Sequence, residues 1–325
     1  MITERPYYSL LWFTDPHVAS SNPISRKDDY PEAILGKINQ VMRIAEKLKV
    51  DRIICGGDIF HSKSPSKLQH WTLNRLVKMF KANPPIGIIG NHDQPWTNLS
   101  FMDRQPLANL IESGVYESSY EDYFDVQVGT FYIRGINYLE EIPDKYFELP
   151  PLTPKIGVLM LHAACTPDGS FPGDEICYSY EYLADRTNAT IICVGHYHKD
   201  HGVQRVLGKM GAKTIINNGA LCRNSRKPED LNRKPKCTLI RINSEDTNEI
   251  EVHEIELTAA SDEEIFEQDV PAVSDEVCAL QKNPNKFVEE LRAEGLGSDD
   301  IEALIEKMAQ SDIIKKYALR ILKDQ

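Results

Sequence analysis

The chain has 325 residues and a formal net charge of −12, with 41% hydrophobic and 26% charged residues. That length can bury a large core in one big domain or two smaller ones, and the balance is that of an ordinary globular protein. No run approaches the roughly 20 apolar residues of a membrane helix, so no membrane partner is expected, and MITERPYYSL lacks the apolar segment of a signal peptide. Seven cysteines without a C-x-x-C pair fit reduced thiols and a cytoplasmic location better than a disulfide scaffold.

In chain order, SLLWF (9–13) reads as a buried strand. A helix over 33–48 follows, with Ile34, Ile38, Val41, Met42 and Ala45 on one face. RIIC (52–55) is the next strand, then a helix over 67–80, IGII (86–89), and a short helix over 106–112 that stops at Gly114. Past residue 120 the pattern turns to β. DVQVGTFYIRGI (125–136) reads as a hairpin turning at Gly129, and IGVLMLH (156–162), TIICVGH (190–196), KTIINNG (213–219), CTLIRI (237–242) and EIEVHEIEL (249–257) follow as strands. A βα half joined to a β-rich half predicts an α/β fold of two packed mixed β-sheets flanked by helices.

The acidity is unevenly spread. Residues 245–325 hold 22 acids and 8 bases, a balance of −14, which leaves +2 for residues 1–244. An anionic substrate is therefore not excluded, because binding follows the local field. Between 245 and 280 there are 13 acids and no Lys or Arg. The first part alternates like a strand, and from about Ala259 it reads as a solvated linker. The expected organisation is a main domain over 1–245 and an extension over 246–325 that ends in helices. Its last helix carries Ile313, Ile314, Tyr317, Ala318, Ile321 and Leu322 on one face, a stripe that must be buried on its own domain or on a partner.

Five apolar runs end in ligand-type side chains. SLLWFTDPH supplies Asp15 and His17, IICGGD Asp58, IIGNHD Asn91 and His92, VLMLH His162, and IICVGHYH His196 and His198. Singly, each is weak: D-x-H and G-G-D are common turns, and a lone His after a strand is usually a satisfied polar residue. Jointly they converge, because strand carboxyl ends in an α/β sheet share one edge. Two carboxylates, an amide and four of the five imidazoles already exceed one tetrahedral ion and suit two ions sharing a bridging carboxylate. Mixed N/O donors favour manganese, iron or zinc over calcium or magnesium. A pair of divalent ions about 3.5–4 Å apart suits phosphoester hydrolysis.

With these residues in place, the chain resembles the calcineurin-like metallophosphoesterases, whose signature is D-x-H, G-D, G-N-H-[DE], H and G-H-x-H. Within them, GGDIFHSKSPS (56–66), GHYHK (195–199) and INNGALCRNS (216–225) are similar to the SbcD-type nucleases of double-strand-break repair. Asn218 departs from the proline usual in that last stretch, and the C-terminal region is shorter and more acidic than usual. The resemblance implies that Asp15, His17 and His198 hold one ion, that Asn91, His162 and His196 hold the other, and that Asp58 bridges them. It implies a catalytic role for His92 at the leaving oxygen, with Asp93 orienting it, and a nucleotide-placing role for His61. It further implies manganese as the metal, DNA as substrate, an SbcC-like ATPase as partner, and a possible homodimer.

Other readings share parts of this pattern. Protein phosphatases of the same superfamily need an arginine in the loop after the bridging Asp, and purple acid phosphatases need a tyrosine three residues on, where this chain has His61. Hydrolases of small or cyclic nucleotide phosphodiesters share every ligand. A non-catalytic binding subunit is a further class, although such proteins lose ligands and none is missing here. RNSRKPEDLNRKPK (223–236) has six bases against two acids, so Arg223 and Arg226 are candidate phosphate contacts.

Overall fold

The computed structural model describes residues 7–267, apart from residues 24, 63–66, 95–98, 152–155, 172–174, 228 and 244–248. Along β1 (Tyr7–Phe13), Leu10 and Trp12 face one way and Leu11 and Phe13 the other, and all four are fully buried. A strand buried on both faces needs a layer on each. The structure supplies them.

One sheet runs β12–β11–β1–β2–β3, where β2 is Arg52–Cys55, β3 Ile86–Gly87, β11 Lys236–Asn243 and β12 Ile250–Glu256. Strands β1, β2 and β3 are parallel, and β11 and β12 are added antiparallel. The other sheet runs β4–β5–β6–β8–β10–β9, with β4 Tyr123–Val128, β5 Phe131–Ile136, β6 Ile156–Thr166, β8 Ile191–His196, β9 Gly202–Gly208 and β10 Gly211–Asn217. The short β7 (Cys177–Ser179) pairs with the far end of β6. Between the sheets lies a core of Leu10, Trp12, Ile54, Ile88, Val158, Met160, Ile191 and Ile240. This is the α/β sandwich that the alternating pattern predicts.

Helices close the outer faces. In α1 (Tyr30–Leu48) the Asp29 carboxylate accepts the Glu32 N–H, Pro31 sits in the first turn, and Lys49 ends the helix in a left-handed conformation. Its Ile34, Ile38, Val41 and Ala45 join Leu11, Phe13, Ile53 and Cys55 in the outer core of the first sheet. Helices α2 (His70–Phe80) and α3 (Pro106–Glu112) add Leu76, Phe80, Leu107 and Leu110 to that layer. On the other side, α4 (Tyr180–Arg186) contributes Tyr180 and Leu183 to a core with Leu159, Leu161, Ile192 and Val194.

Several elements escape the sequence patterns, among them the three-residue β7. Helix α4 has seven residues, too few to show a period, and β9 alternates between half-buried and exposed residues with a glycine at each end. A further difference bears on domain organisation. Strand β12 lies past the expected boundary at 245, yet it completes the first sheet against β11. The stretch read as a solvated linker also folds back. A capping box at Ser261 starts the single turn α5 (Asp262–Ile265), Phe266 bridges to Arg26, and Phe266 is 2% exposed. The Arg26 guanidinium lies over both the Phe266 and Tyr30 rings. Ordered packing therefore continues to Glu267, and the predicted terminal helices lie outside the described residues. Among the described residues no helix is long and apolar enough to cross a membrane.

Because Phe266 fills a buried site against Arg26, Phe266→Ala should lower stability by about 3 kcal/mol. Chemical denaturation would show this as a lower midpoint; an unchanged midpoint would mean that the segment is not anchored there.

Candidate metal centre

The backbone is strained where the ligand-type residues sit. Asp15 (φ 51°), His17 (φ 46°), Asp58 (φ 50°) and His196 (φ 92°) all have positive φ, as do only two other non-glycine residues among those described. Such conformations cost about 1–3 kcal/mol each and persist where the surroundings over-determine them. Here the loops brace one another. Asp15 N–H donates to the Gly57 carbonyl, His17 N–H to the Asp58 carbonyl, and Val18 N–H to the Ile59 carbonyl. His196 N–H donates to the Asp15 carboxylate at 3.0 Å. Gly90 is required by proximity, since a Cβ there would overlap the Asp58 carboxylate.

The seven predicted ligands come together. His17 Nε2 lies 3.0 Å from His198 Nε2 and 3.8 Å from Asp15 Oδ1. Asn91 Oδ1 lies 3.0 Å from both His162 Nε2 and His196 Nδ1, which are 3.3 Å apart. Between the two groups sits Asp58 Oδ2, 3.4 Å from His17 Nε2 and 3.4 Å from His162 Nε2. Ligands held about 2.1 Å from one ion are about 3.0–3.4 Å from each other. The donor set therefore fits two divalent ions, with Asp58 facing both positions. The sequence pattern puts His162 at a strand end, but β6 runs four residues further, and His162 pairs in register with Gly195.

Hydrogen bonds fix which ring nitrogen faces inward. His162 Nδ1 donates to the Gly56 carbonyl at 2.6 Å, leaving Nε2 toward the centre. His92 Nδ1 donates to the His61 carbonyl at 2.8 Å, and its backbone N–H donates to Asp58 Oδ1 at 2.8 Å. Buried His17 Nδ1 has no partner among the described residues. Burial also holds the His17 imidazole well below its usual range, so it is neutral, the form that ligates a metal. Burial pushes the Asp58 carboxyl up, but the neighbouring imidazoles, His162 first, outweigh it and hold the group well below the carboxylate range. For His162, burial lowers the pKa, and the Asp58 charge overrides it and raises the ring to about 10. A cation beside that carboxylate would compete for the same charge.

Three expectations about neighbouring residues change. Asp93 does not orient His92. Its buried carboxylate accepts the backbone N–H groups of Ile59, Phe60 and Gly90, tying the Asp58 loop to the Asn91 loop. Burial, with the nearby Asp58 charge, pushes its carboxyl up to about 7. The His61 carbonyl performs the orienting role instead, while the His61 ring stacks on His92 with centroids 5.8 Å apart and stands exposed at the rim.

Arg223 is 3% exposed and turned to other work. It donates to Asp262 at 2.6 Å and to the Ala260 carbonyl. Arg226 donates to the Glu267 carbonyl. Arg233 pairs with Asp230, Lys234 with Glu256, and Lys236 with Asp200 and Glu254. Four of the six cations of the run, Arg223, Arg233, Lys234 and Lys236, are thus paired with acids, and the run clasps the C-terminal return. Asn218, in place of the usual proline, is buried and accepts a hydrogen bond from Thr238.

No sequence pattern points to Glu175. Its Oε2 lies 3.1 Å from His196 Nε2, and its Oε1 accepts from the Tyr138 hydroxyl at 2.9 Å. It sits in a loop with no motif, and only folding brings it to the site.

A family model described as calcineurin-like phosphoesterase matches residues 8–200, the span that carries every donor above. The chain belongs to this family. It is a metal-dependent phosphoesterase. Solved structures similar to this calcineurin-like chain include TT1561 of Thermus thermophilus, 13% identical with a TM-score of 0.44, covering 76% of this chain and 98% of that one. A dimetal phosphatase from Danio rerio is 10% identical with a TM-score of 0.45, covering 79% of this chain and 100% of that one.

A divalent ion that binds this donor set should raise the melting temperature of the folded phosphoesterase by mass action, with manganese as the probe ion. Asp58→Asn, which removes the charge between both donor groups, should remove most of that shift while leaving the metal-free melting temperature within a few degrees. A full metal-induced shift in the variant would show that Asp58 is not a ligand.

Proposed function

We propose that this phosphoesterase is a two-metal phosphodiesterase that cuts DNA, a nuclease of the SbcD type. The observation that carries the reading is the rim pair His61 and His92 beside the two donor groups that share Asp58. Asp15, His17 and His198 would hold one ion and Asn91, His162 and His196 the other, with Asp58 common to both. The N/O donors favour manganese, with iron and zinc as the other candidates. Bound there, the ions would supply Lewis-acid stabilisation and lower the pKa of a water. Their +4, less the charges of Asp15 and Asp58, leaves +2. A diester and a hydroxide balance that charge, whereas a monoester dianion together with the same hydroxide overshoots it by one.

The chain's own residues supply the rest. Because Nδ1–H of His92 is engaged by the His61 carbonyl, Nε2 is left to face a leaving oxygen. As the imidazolium, protonated on both nitrogens, His92 would hand that oxygen its Nε2 proton and be left neutral, with Nδ1–H on the carbonyl. Asp58 Oδ1 holds the His92 backbone in place, so the acid and the ligand set move as one unit. The exposed ring of His61, stacked beside His92, offers a flat surface for a nucleotide next to the scissile bond. Small and cyclic nucleotide phosphodiesters fit the same charge balance, so the length of the substrate is what experiment must decide. The SbcC-like ATPase partner rests on the apolar stripe over 313–322, outside the described residues.

The deciding test is purified protein with manganese on end-labelled duplex and single-stranded DNA, beside a cyclic dinucleotide. Shortening of the labelled DNA is expected. Cleavage of the dinucleotide with intact DNA would favour the small-substrate reading. His92→Gln should keep metal stoichiometry while turnover falls by about 10²–10⁴, whereas His196→Gln should lose metal. Equal metal loss in both variants would make His92 a ligand instead.

Deleting residues 297–325 should leave hydrolysis of bis-p-nitrophenyl phosphate and the melting temperature nearly unchanged, and should abolish co-purification with the ATPase. A large fall in melting temperature would mean that the stripe packs on its own domain.

A further inference from the structure

In the half of the centre around Asn91, His162 and His196, both imidazoles have an acceptor behind the ring, which His17 does not show among the described residues. His17 Nδ1, on the far side of its ring from the donor cluster, is buried without a partner there. His162 meets a carbonyl, a neutral acceptor. His196 meets a carboxylate: Glu175 Oε2 lies 3.1 Å from its Nε2. That carboxylate is itself held, since the Tyr138 hydroxyl donates to Oε1 at 2.9 Å. The Tyr138 ring packs against His196 with centroids 5.7 Å apart, and Phe171 covers the same imidazole at 5.9 Å.

We propose that Glu175 is a positioning residue that fixes His196 as its Nε2–H tautomer and thereby turns Nδ1, the ligating atom, toward Asn91 and His162. The need is specific to this residue. His196 is the last residue of β8 and has φ 92°, so its side chain leaves the strand from a backbone that few non-glycine residues adopt. Its Nδ1 must lie near its own backbone to reach the cluster, 3.0 Å from Asn91 Oδ1 and 3.3 Å from His162 Nε2. A neutral imidazole carries one proton, and in free histidine that proton exchanges between the two nitrogens. A proton on Nδ1 would block ligation there. A carboxylate on Nε2 holds the proton on the outer nitrogen and makes the inner one a better donor. Both oxygens of Glu175 are engaged, Oε2 by the His196 ring and Oε1 by the Tyr138 hydroxyl, so the carboxylate is held in place behind the imidazole.

The same geometry makes the effect local. Among the described residues the Glu175 carboxylate makes hydrogen bonds to His196 and Tyr138 and none to Asp15, His17 or His198, so its loss should weaken one ion position and spare the other. Outer-layer carboxylates of this kind typically change metal affinity by about 10–100-fold. Tyr138, acting through Glu175, should have a smaller effect of the same kind.

The test has two arms, and this inference rests on the two-ion reading only in the second. In the first, metal-free protein labelled with ¹⁵N-histidine is examined by long-range ¹H–¹⁵N correlation, with the His196 signals assigned from His196→Gln. The wild type should show the Nε2–H tautomer at His196, and Glu175→Ala should show a mixture. An Nδ1–H tautomer in the wild type, or no change in the variant, overturns the proposal. In the second, manganese binding is followed by calorimetry. Glu175→Ala should weaken one of two affinities about 10–100-fold and leave the other unchanged, with Glu175→Gln and Tyr138→Phe between it and the wild type. Equal weakening of both, or of neither, counts against the assignment. If the wild type binds a single ion, the two-ion reading fails, while the tautomer measurement still decides the role of Glu175.

Discussion

The centre depends on one carboxylate placed where it would otherwise be costly to hold. Asp58 is buried, has a left-handed backbone, and directs Oδ2 at two imidazoles from opposite donor groups. Its other oxygen accepts the His92 N–H. Neither arrangement survives a side chain at position 90, so the Asn91 loop must be able to approach without a Cβ. Asp93 completes the arrangement by accepting N–H groups from both loops at once. A negative charge at this position, uncompensated in a low-dielectric interior, would be expelled or neutralised. The surrounding imidazoles and the cations they would hold are what make the position tenable.

The sandwich exists to bring these loops to one edge. Strands β1, β2 and β3 of the first sheet and β6 and β8 of the second run so that Asp15, Asp58, Asn91, His162 and His196 meet across the interface between the sheets. Gly56 and Gly195 sit at that crossing, where a Cβ on either would meet Thr14. The small residues in G-G-D and G-H-Y-H are thus explained by sheet packing as much as by turn geometry.

Much of this is legible in the sequence because ligands behind apolar strands leave a local signature. The seven donors read as a convergent set since each follows, or lies within, a run whose burial period is visible over a few residues. What cannot be read is set by long-range pairing. Glu175 meets His196 only in the folded chain, 21 residues away in sequence, and nothing near Glu175 in the chain marks it. Asp93 invites the wrong partner because its sequence neighbour, His92, is nearer in the chain than the Ile59 and Phe60 amides that it binds. The run 223–236 resembles a phosphate track because its acidic partners, Asp200, Glu254, Glu256 and Asp262, are distant in sequence or lie past an expected boundary.

That last mismatch alters how the charge of the molecule is understood. The acidic segment after residue 245 is in part the counter-charge of the basic run. Asp262 engages Arg223, Phe266 lies against Arg26, and the Arg26 guanidinium also binds Asp28 and the Arg223 carbonyl. From there the path to the centre is short. Arg233 donates to the carbonyls of Ala220 and Cys222, Leu221 and Cys222 donate their N–H groups to the carbonyls of Thr14 and Asp15, and the Tyr30 hydroxyl donates to the His17 carbonyl. The loop that carries Asp15 and His17 is therefore braced from behind by the same clasp that anchors the C-terminal return. A strained backbone needs such a brace, and here the acidic strand and turn provide it. The phosphate-binding field must then come from the centre itself, because most of the cations in the neighbouring run are already matched.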